Sequence, residues 1–217
     1  MLMACWGMAL AIIGDYLLGF GTFTASTSPD AYMGIEWSVA PDWRYAVSSI
    51  LGFCCVPLFA VAVIELCRVL EAREGVKDSR VYKAFKAANW CGVFYFAFIH
   101  IAICMLPVIF NAGMEATGDT VASAQMVMRV LKSIAVPMGA GFILCDLMGS
   151  VAWIGLVISG KIPVKKIALI CNPVVIALLG QLTNYIVEGL DAGFESLGWL
   201  LMYLVCALSL TEGRKTC

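Results

Sequence analysis

Histidine occurs once in the 217 residues, at His100, and only 13% of the chain is charged against 62% apolar. One histidine cannot complete the Cys/His or multi-histidine sets that hold zinc, and no CxxC pair is present to help it. An ordinary soluble domain is nearer half apolar and about a quarter charged, so the scarcity of charge excludes that class. The chain has no G-x-S-x-G elbow, Walker loop, HExxH pair or G-x-G-x-x-G turn, which removes the common hydrolase, nucleotide and dinucleotide signatures. Lys and Arg never interleave with aromatics in a stripe, which argues against nucleic acid as a partner. The opening MLMACWGMALAIIGDYLLGF has no basic n-region and no clear A-x-A-like cleavage site after it. It reads as a retained first helix.

Ten cysteines would suit a disulfide framework in a secreted domain. Here Cys5, Cys54, Cys55, Cys91, Cys104, Cys145, Cys171 and Cys206 fall inside apolar runs, with Cys67 at the edge of one. They read as small apolar residues, with Cys54, Cys55 and the terminal Cys217 as alternative redox or acylation positions.

What is there is a series of apolar runs and a mean hydropathy of +0.92. Runs of about 20 apolar residues are the length of a membrane-crossing helix. They predict an all-α, polytopic integral membrane helix bundle forming one domain over residues 1–217, with spans at about 1–20, 45–67, 90–110, 134–159, 167–187 and 197–210. The forty residues from Val121 to Gly160 are too many for one crossing. A division near Ser133 leaves VASAQMVMRVLK as a short amphipathic helix before the fourth span; one long helix protruding from the bilayer is the alternative. Residues 22–44 read as a loop, with Trp37 and Trp43 at the membrane interface.

Six crossings place both termini on one side. With that side cytoplasmic, 11 of the 14 Lys and Arg are inside: Arg68, Arg73, Lys77, Arg80, Lys83, Lys86, Lys161, Lys165, Lys166, Arg214 and Lys215. Arg44, Arg129 and Lys132 remain outside, so the positive-inside rule predicts N-in, C-in in a cytoplasmic (inner) membrane. Gly7, Gly14 and Gly21 recur every seven residues and give the first span a close-packing face. A homodimer is expected, with this face as one seam. Mid-span Pro57, Pro107, Pro137 and Pro173 read as kinks that free backbone carbonyls, tolerated only against protein or a wet cavity.

The apolar runs carry a small polar set. Trp90 to Phe110 holds His100 at its centre, Asp15 lies in the first run, and Asp146 lies in LCDLMGS. Counted from the span centres, His100 and Asp146 fall near mid-membrane, with Asp15 and Gln181 about 5 Å toward the outside. A carboxylate at the bilayer centre costs about 2.5 to 3.5 kcal/mol or more, so these groups should turn inward and meet. Asp15, His100, Asp146, Gln181 and Asn184 are the candidate ligand-binding residues, and Asp15, His100 and Asp146 the candidates for any catalytic role. An Asp–His clamp that only holds helices together is the structural alternative. Asn172, before Pro173, either lines the same cavity or satisfies kinked backbone. Glu65, near the cytoplasmic end, pairs with Arg68 at i, i+3. A Ser-His-Asp triad stays open, since Ser48, Ser49 and Ser150 lie in spans without a spacing that specifies one.

Through GDYLLGF (Gly14 to Phe20), FIHIAI (Phe98 to Ile103) and GKIPVKKIALICNPVVIALLG (Gly160 to Gly180), the chain resembles an uncharacterised family of bacterial membrane proteins of about this length. That resemblance implies no known activity. Gly14-Asp15 followed by leucines, with an aromatic-flanked His100, is also similar to the lysoplasmalogenase family of intramembrane lipid hydrolases. The related ceramidase-like hydrolases bind zinc through several histidines, and this chain departs from them in having one.

The functions expected are therefore binding or transport of a small, partly apolar solute or lipid-like ligand, with a proton link through Asp and His. The alternatives are an intramembrane lipid-modifying enzyme, a lysoplasmalogenase-like hydrolase or isomerase using Asp/His acid-base chemistry, and a non-catalytic membrane subunit or sensor. No cofactor and no metal is expected, and the partners are the lipid bilayer, the ligand and a second copy of the chain.

Overall fold

The computed structural model describes residues 1–20, 22–25, 35–184, 186–187 and 189–212. Its elements are α1 (Leu2–Gly19), β1 (Phe23–Ala25), β2 (Ile35–Trp37), α2 (Asp42–Glu71), α3 (Arg80–Thr117), α4 (Thr120–Phe142), α5 (Met148–Ile158), α6 (Pro173–Asn184) and α7 (Phe194–Glu212). The two short strands pair antiparallel between α1 and α2, with Phe23 opposite Trp37. Trp37 stacks on Phe110 of α3 at a centroid distance of 5.8 Å, while Trp43 is exposed.

Five helical stretches are long and apolar enough to cross a membrane: Leu2–Gly19, Asp42–Glu71, Arg80–Thr117, Thr120–Ile158 and Leu190–Leu210. They mark a multi-pass membrane protein. Trp6, Phe53, Phe94, Val136 and Ile158 are exposed on them, a liability in water and a match for acyl chains.

Segment 121–133 is not the separate amphipathic helix expected. It is the start of α4, which passes Ser133 unbroken. The Asp119 carboxylate caps α4 by accepting from the amides of Val121 and Ala122 at 2.8 and 3.1 Å. Ala124 and Val127 then pack on Leu106 and Phe110 of α3. No Gly or Pro occurs from Thr120 to Val136, so nothing stops the helix there. The irregularity comes later, as a π turn over Ile143–Leu147 that joins α4 to α5. The 39 residues of Thr120–Ile158 reach about 58 Å, so part of this rod must extend beyond a hydrocarbon core.

The expected fifth span, 167–187, becomes a regular helix only from Pro173. Lys166–Ile170 forms a 3-10 turn instead. Asn172 then caps α6, its Oδ1 accepting from the Val175 amide at 3.0 Å, and Pro173 occupies the first helical position, where an N–H is not needed. The 12 residues of α6 reach about 18 Å, well short of a crossing.

The chain still turns back on itself in pairs of limbs. Lys161 Nζ donates to the Gly75 carbonyl at 3.1 Å, so the turn after α5 and the charged connector after α2 share one face. Ala4 near the start of α1, Leu70 near the end of α2 and Leu210 near the end of α7 belong to one core. At the other end, Tyr16 Oη donates to the Leu190 carbonyl at 2.6 Å, and Asn111 Nδ2 donates to the Ala40 carbonyl at 2.8 Å.

The glycine face of α1 is occupied within the protomer. A methyl group at Gly7 would sit 3.1 Å from the Cys55 carbonyl oxygen, and one at Gly14 would sit 3.3 Å from that of Ser48. Gly7 and Gly14 therefore seat α1 on α2 and offer no seam to a second copy; Gly21 lies outside the described residues. Pro57, Pro107 and Pro137 sit inside α2, α3 and α4 without ending them.

The core centres on Phe59, whose ring lies 5.3 Å from Phe96, 5.5 Å from Trp199 and 5.3 Å from Tyr203. Beside it, Tyr203 Oη donates to Asn89 Oδ1 at 2.6 Å, which ties α7 to α3. Phe59→Ala should empty this junction and destabilise the bundle by about 3 kcal/mol, the low end for an aromatic-to-alanine cavity. Reversible denaturation in mixed micelles measures the loss.

Candidate functional site

The site forms where small residues let a ring enter between helices. Ser48 and Gly52 lie one turn apart on α2, and the His100 ring of α3 occupies the space a Gly52 side chain would fill. Gly14 of α1 closes on the same ring: a methyl group added there would stand 3.3 Å from His100 Nε2. His100 Nδ1 lies 3.3 Å from Asp15 Oδ1. On the other side, Nε2 lies 2.9 Å from Ser48 Oγ and 3.0 Å from the Ser48 carbonyl oxygen.

The surrounding bonds fix the roles. Ser48 Oγ donates to the Gly14 carbonyl at 2.8 Å and accepts from Cys104 Sγ at 3.3 Å. With its hydrogen committed, the serine oxygen is an acceptor toward His100. The imidazole thus faces acceptors at both nitrogens. Ser196 Oγ of α7 donates to Asp15 Oδ2 at 2.6 Å, so both oxygens of that carboxylate are engaged.

Asp15, His100 and Ser196 line a cavity of about 540 Å³ enclosed by α1, α2, α3, α4 and α7. The rest of its wall is mostly apolar, including Met8, Ala11, Ile99, Ile103, Met138 and Phe142. Gly139 and Phe142 on this wall are also exposed at the bundle surface. Tyr95, another wall residue, fixes α4 by donating to the Met138 carbonyl at 2.8 Å, and Gly141 leaves room for its ring.

The acidic residue that completes the wall is Glu195, which the sequence reading leaves in an outer loop. Helix α7 begins at Phe194, a turn before the expected start at 197, and this draws Glu195 into the bundle. Glu195 and Trp199 are one turn apart on α7, so both face Asp146. Asp146 is 0% exposed; its Oδ1 accepts from Trp199 Nε1 at 2.9 Å, and the Glu195 carboxyl is close by. Among the described residues its Oδ2 receives no hydrogen bond.

The expected cluster is therefore divided. Asp15 and His100 meet directly; Asp146 stands behind the wall, against Trp199 and Glu195. It belongs to the π turn, where helical counting no longer gives a side chain's direction. Gln181 is exposed and donates through Nε2 to Asp191 Oδ2 at 2.6 Å, away from the cavity. The Asn184 side chain lies outside the described residues. Asn172 serves as the α6 cap, and Glu65 pairs with Arg68 at 3.9 Å on the surface. Among the described residues, no three His, Cys, Asp or Glu side chains gather as a metal-holding group.

Ser48, His100 and Asp15 stand in the order of a Ser-His-Asp triad. Ser48, however, is 0% exposed, lies off the cavity wall, and has its hydroxyl hydrogen on Gly14. The geometry orients His100 and gives the serine no open approach to an acyl group.

The residues that sequence reasoning missed are Gly52, Cys104, Glu195 and Ser196, and it left Ser48 undistinguished from Ser49 and Ser150. Their signal was pairing at i, i+4 within the apolar runs: Ser48 with Gly52, His100 with Cys104, and Glu195 with Trp199.

The chain matches the family described as "Family of unknown function (DUF6796)" over residues 1–213. No curated protein and no solved structure matches it.

Because His100 is the single histidine, one pair of ring 15N signals reports on it alone. Asp15→Asn should shift both signals, whereas Asp146→Asn should leave them nearly in place. Gly52→Ala should shift them too, since the added methyl displaces the ring, and should destabilise the bundle by about 1–3 kcal/mol as overpacking.

Proposed function

Since the chain belongs to this family of unknown function, whose description names no activity, we propose its role from the cavity itself. It is an integral protein of the cytoplasmic (inner) membrane that binds, or carries across, a small amphipathic molecule, either a partly apolar solute or a lipid-like ligand. The observation that carries this reading is the Asp15–His100 pair on the wall of an otherwise mostly apolar cavity between membrane helices. Ligand sites are of this kind: a few hundred cubic ångströms, apolar over most of the wall, with a few convergent polar groups that orient the occupant. An ionisable pair at membrane depth, kept despite its cost, is a mark of a working site. The exposure of the wall residues Gly139 and Phe142 at the bundle surface supports entry from the acyl-chain region.

Asp15 and His100 are also a pair through which a proton can be held or passed, so proton-linked movement belongs to the same reading. The orientation follows from the basic connectors. Lys161 beside Gly75 supports a single basic face for residues 68–86 and 161–166, and the positive-inside rule makes that face cytoplasmic. In this reading α6 and α7 form the last up-and-down pair, α6 as a half-length limb, and both ends of the chain are inside.

A lipid-modifying enzyme is the second reading, favoured by the Ser48–His100–Asp15 order and opposed by the burial of Ser48. On the binding reading, Ser48 is a positioning residue for His100.

The two readings separate experimentally. A methyl group at Gly139 would meet nothing within 4 Å, so Gly139→Phe should obstruct the cavity without a clash inside the bundle. With a diazirine-bearing long-chain alcohol in vesicles, photolabelling should map to Ile99, Ile103 and Met138 and fall at least about tenfold in this variant, roughly 1.4 kcal/mol of binding. Labelling spread evenly over lipid-facing residues in both proteins would count against a ligand cavity. Ser48→Ala should keep the label. Hydrolysis of a lysophospholipid or vinyl-ether lipid that disappears in Ser48→Ala would favour the enzyme instead.

A further inference from the structure

We propose that the occupant of this cavity is a lipophilic cation, an ammonium group on an apolar body, with its charge held by Glu195. This rests on the binding reading above and names the class of ligand for the same site.

The charged side chains on the cavity wall are Asp15, His100 and Glu195. Asp15 is answered on both oxygens, by His100 at Oδ1 and by Ser196 at Oδ2. Glu195 is answered by another acid, through a hydrogen bond shared with the Asp146 carboxyl, and by no base. Its charged surroundings are Asp146 and Asp15, both acidic, and among the described residues no Lys, Arg or His forms an ion pair with it.

Behind Glu195, Asp146 also lacks a base among the described residues. Asp146 is fully buried, Trp199 supplies a donor to one of its oxygens, and the other oxygen receives none among the described residues. The two carboxyl groups hydrogen-bond to one another and take donors from the Trp199 indole and the Asp146 amide, and among the described residues no base forms an ion pair with either. A buried carboxyl pair without a base is costly when charged, and Glu195 is its member on the cavity wall, where a positive group can reach it. An ammonium supplies positive charge together with N–H or polarised C–H donors. A carboxylate, sulfate or phosphate would add a third anion at the same place.

The remaining wall suits the rest of such a molecule. Tyr95 and Phe96 stand on it with ring centroids 6.4 Å apart, and aromatic faces attract ammonium groups. The apolar portion toward Ile99, Ile103 and Met138 can hold a hydrocarbon body. The preference thus comes from a mismatch in the protein itself: acid on one side of the cavity, the wall's base His100 already paired with Asp15, and aromatic and aliphatic surface beside it.

Three diazirine probes of equal alkyl length test this in vesicles, one ending in trimethylammonium, one in alcohol and one in sulfate, at equal membrane-bound concentration. The ammonium probe should label the cavity residues about tenfold more than the alcohol, and the sulfate probe less than either. Glu195→Gln should bring ammonium labelling down to the alcohol level. Asp146→Asn, which reaches the ligand only through Glu195, should reduce the preference by a smaller factor. If alcohol or sulfate labels the wild-type cavity as strongly as the ammonium, the charge preference is wrong while the binding reading stands. If none of the three labels the cavity above the level of Gly139→Phe, both fail. The wild-type ranking decides the matter even where a variant does not fold.

Discussion

A polar group inside a bilayer has to be answered by another protein group, and this requirement organises the molecule. Hydrocarbon offers no hydrogen bond, so each ionisable side chain in the apolar helices either finds a partner in the bundle or reaches the surface. Asp15 is answered by His100 and Ser196; His100 is answered by Asp15 and Ser48. These bonds connect α1, α2, α3 and α7, so the polar network also sets how those helices sit against one another.

Glycine makes the network geometrically reachable. Gly14 and Gly52 remove the side chains that would keep α1 and α2 from the His100 ring, and Gly141 does the same for Tyr95 on α4. In a membrane, helices gain little from burying apolar surface against each other, because acyl chains are just as apolar. Close backbone approach and interhelical hydrogen bonds carry the association instead. The same features therefore serve two ends here: a small residue that lets two helices touch also makes room for a polar side chain from a third. The cavity lies where this tight packing stops, with the polar cluster at its wall and aliphatic side chains around the remainder.

The acidic end of the cavity behaves differently. Asp15 is answered by His100 and Ser196, while Glu195 and Asp146 bond to each other, with the Trp199 indole on Asp146 and no base paired with either among the described residues. A bundle built only for stability would fill that space with apolar side chains or supply a base, since unanswered buried acceptors are destabilising. A carboxyl pair without a base, with Glu195 on the cavity wall, fits the proposed uptake of a positive group from outside.

The composition and the apolar runs were enough to establish a helical membrane bundle and to single out Asp15 and His100, because length, hydropathy and the cost of charge in lipid are properties of local sequence. The short connector after α5 and the basic clusters were equally legible. Other features required the tertiary structure. Periodicity could not show that α4 passes Ser133 unbroken, since that stretch is held by Leu106 and Phe110 far away in the chain. It could not place Asp146, because a π turn alters the register by which helical faces are counted. It left Glu195 in a loop, because a single acidic residue before an apolar run reads as a boundary until the start of α7 is seen to lie one turn earlier. Which groups exist at membrane depth is written in the chain itself; which of them meet depends on helix rotation and close approach, and those are set by contacts between residues that sequence order keeps apart.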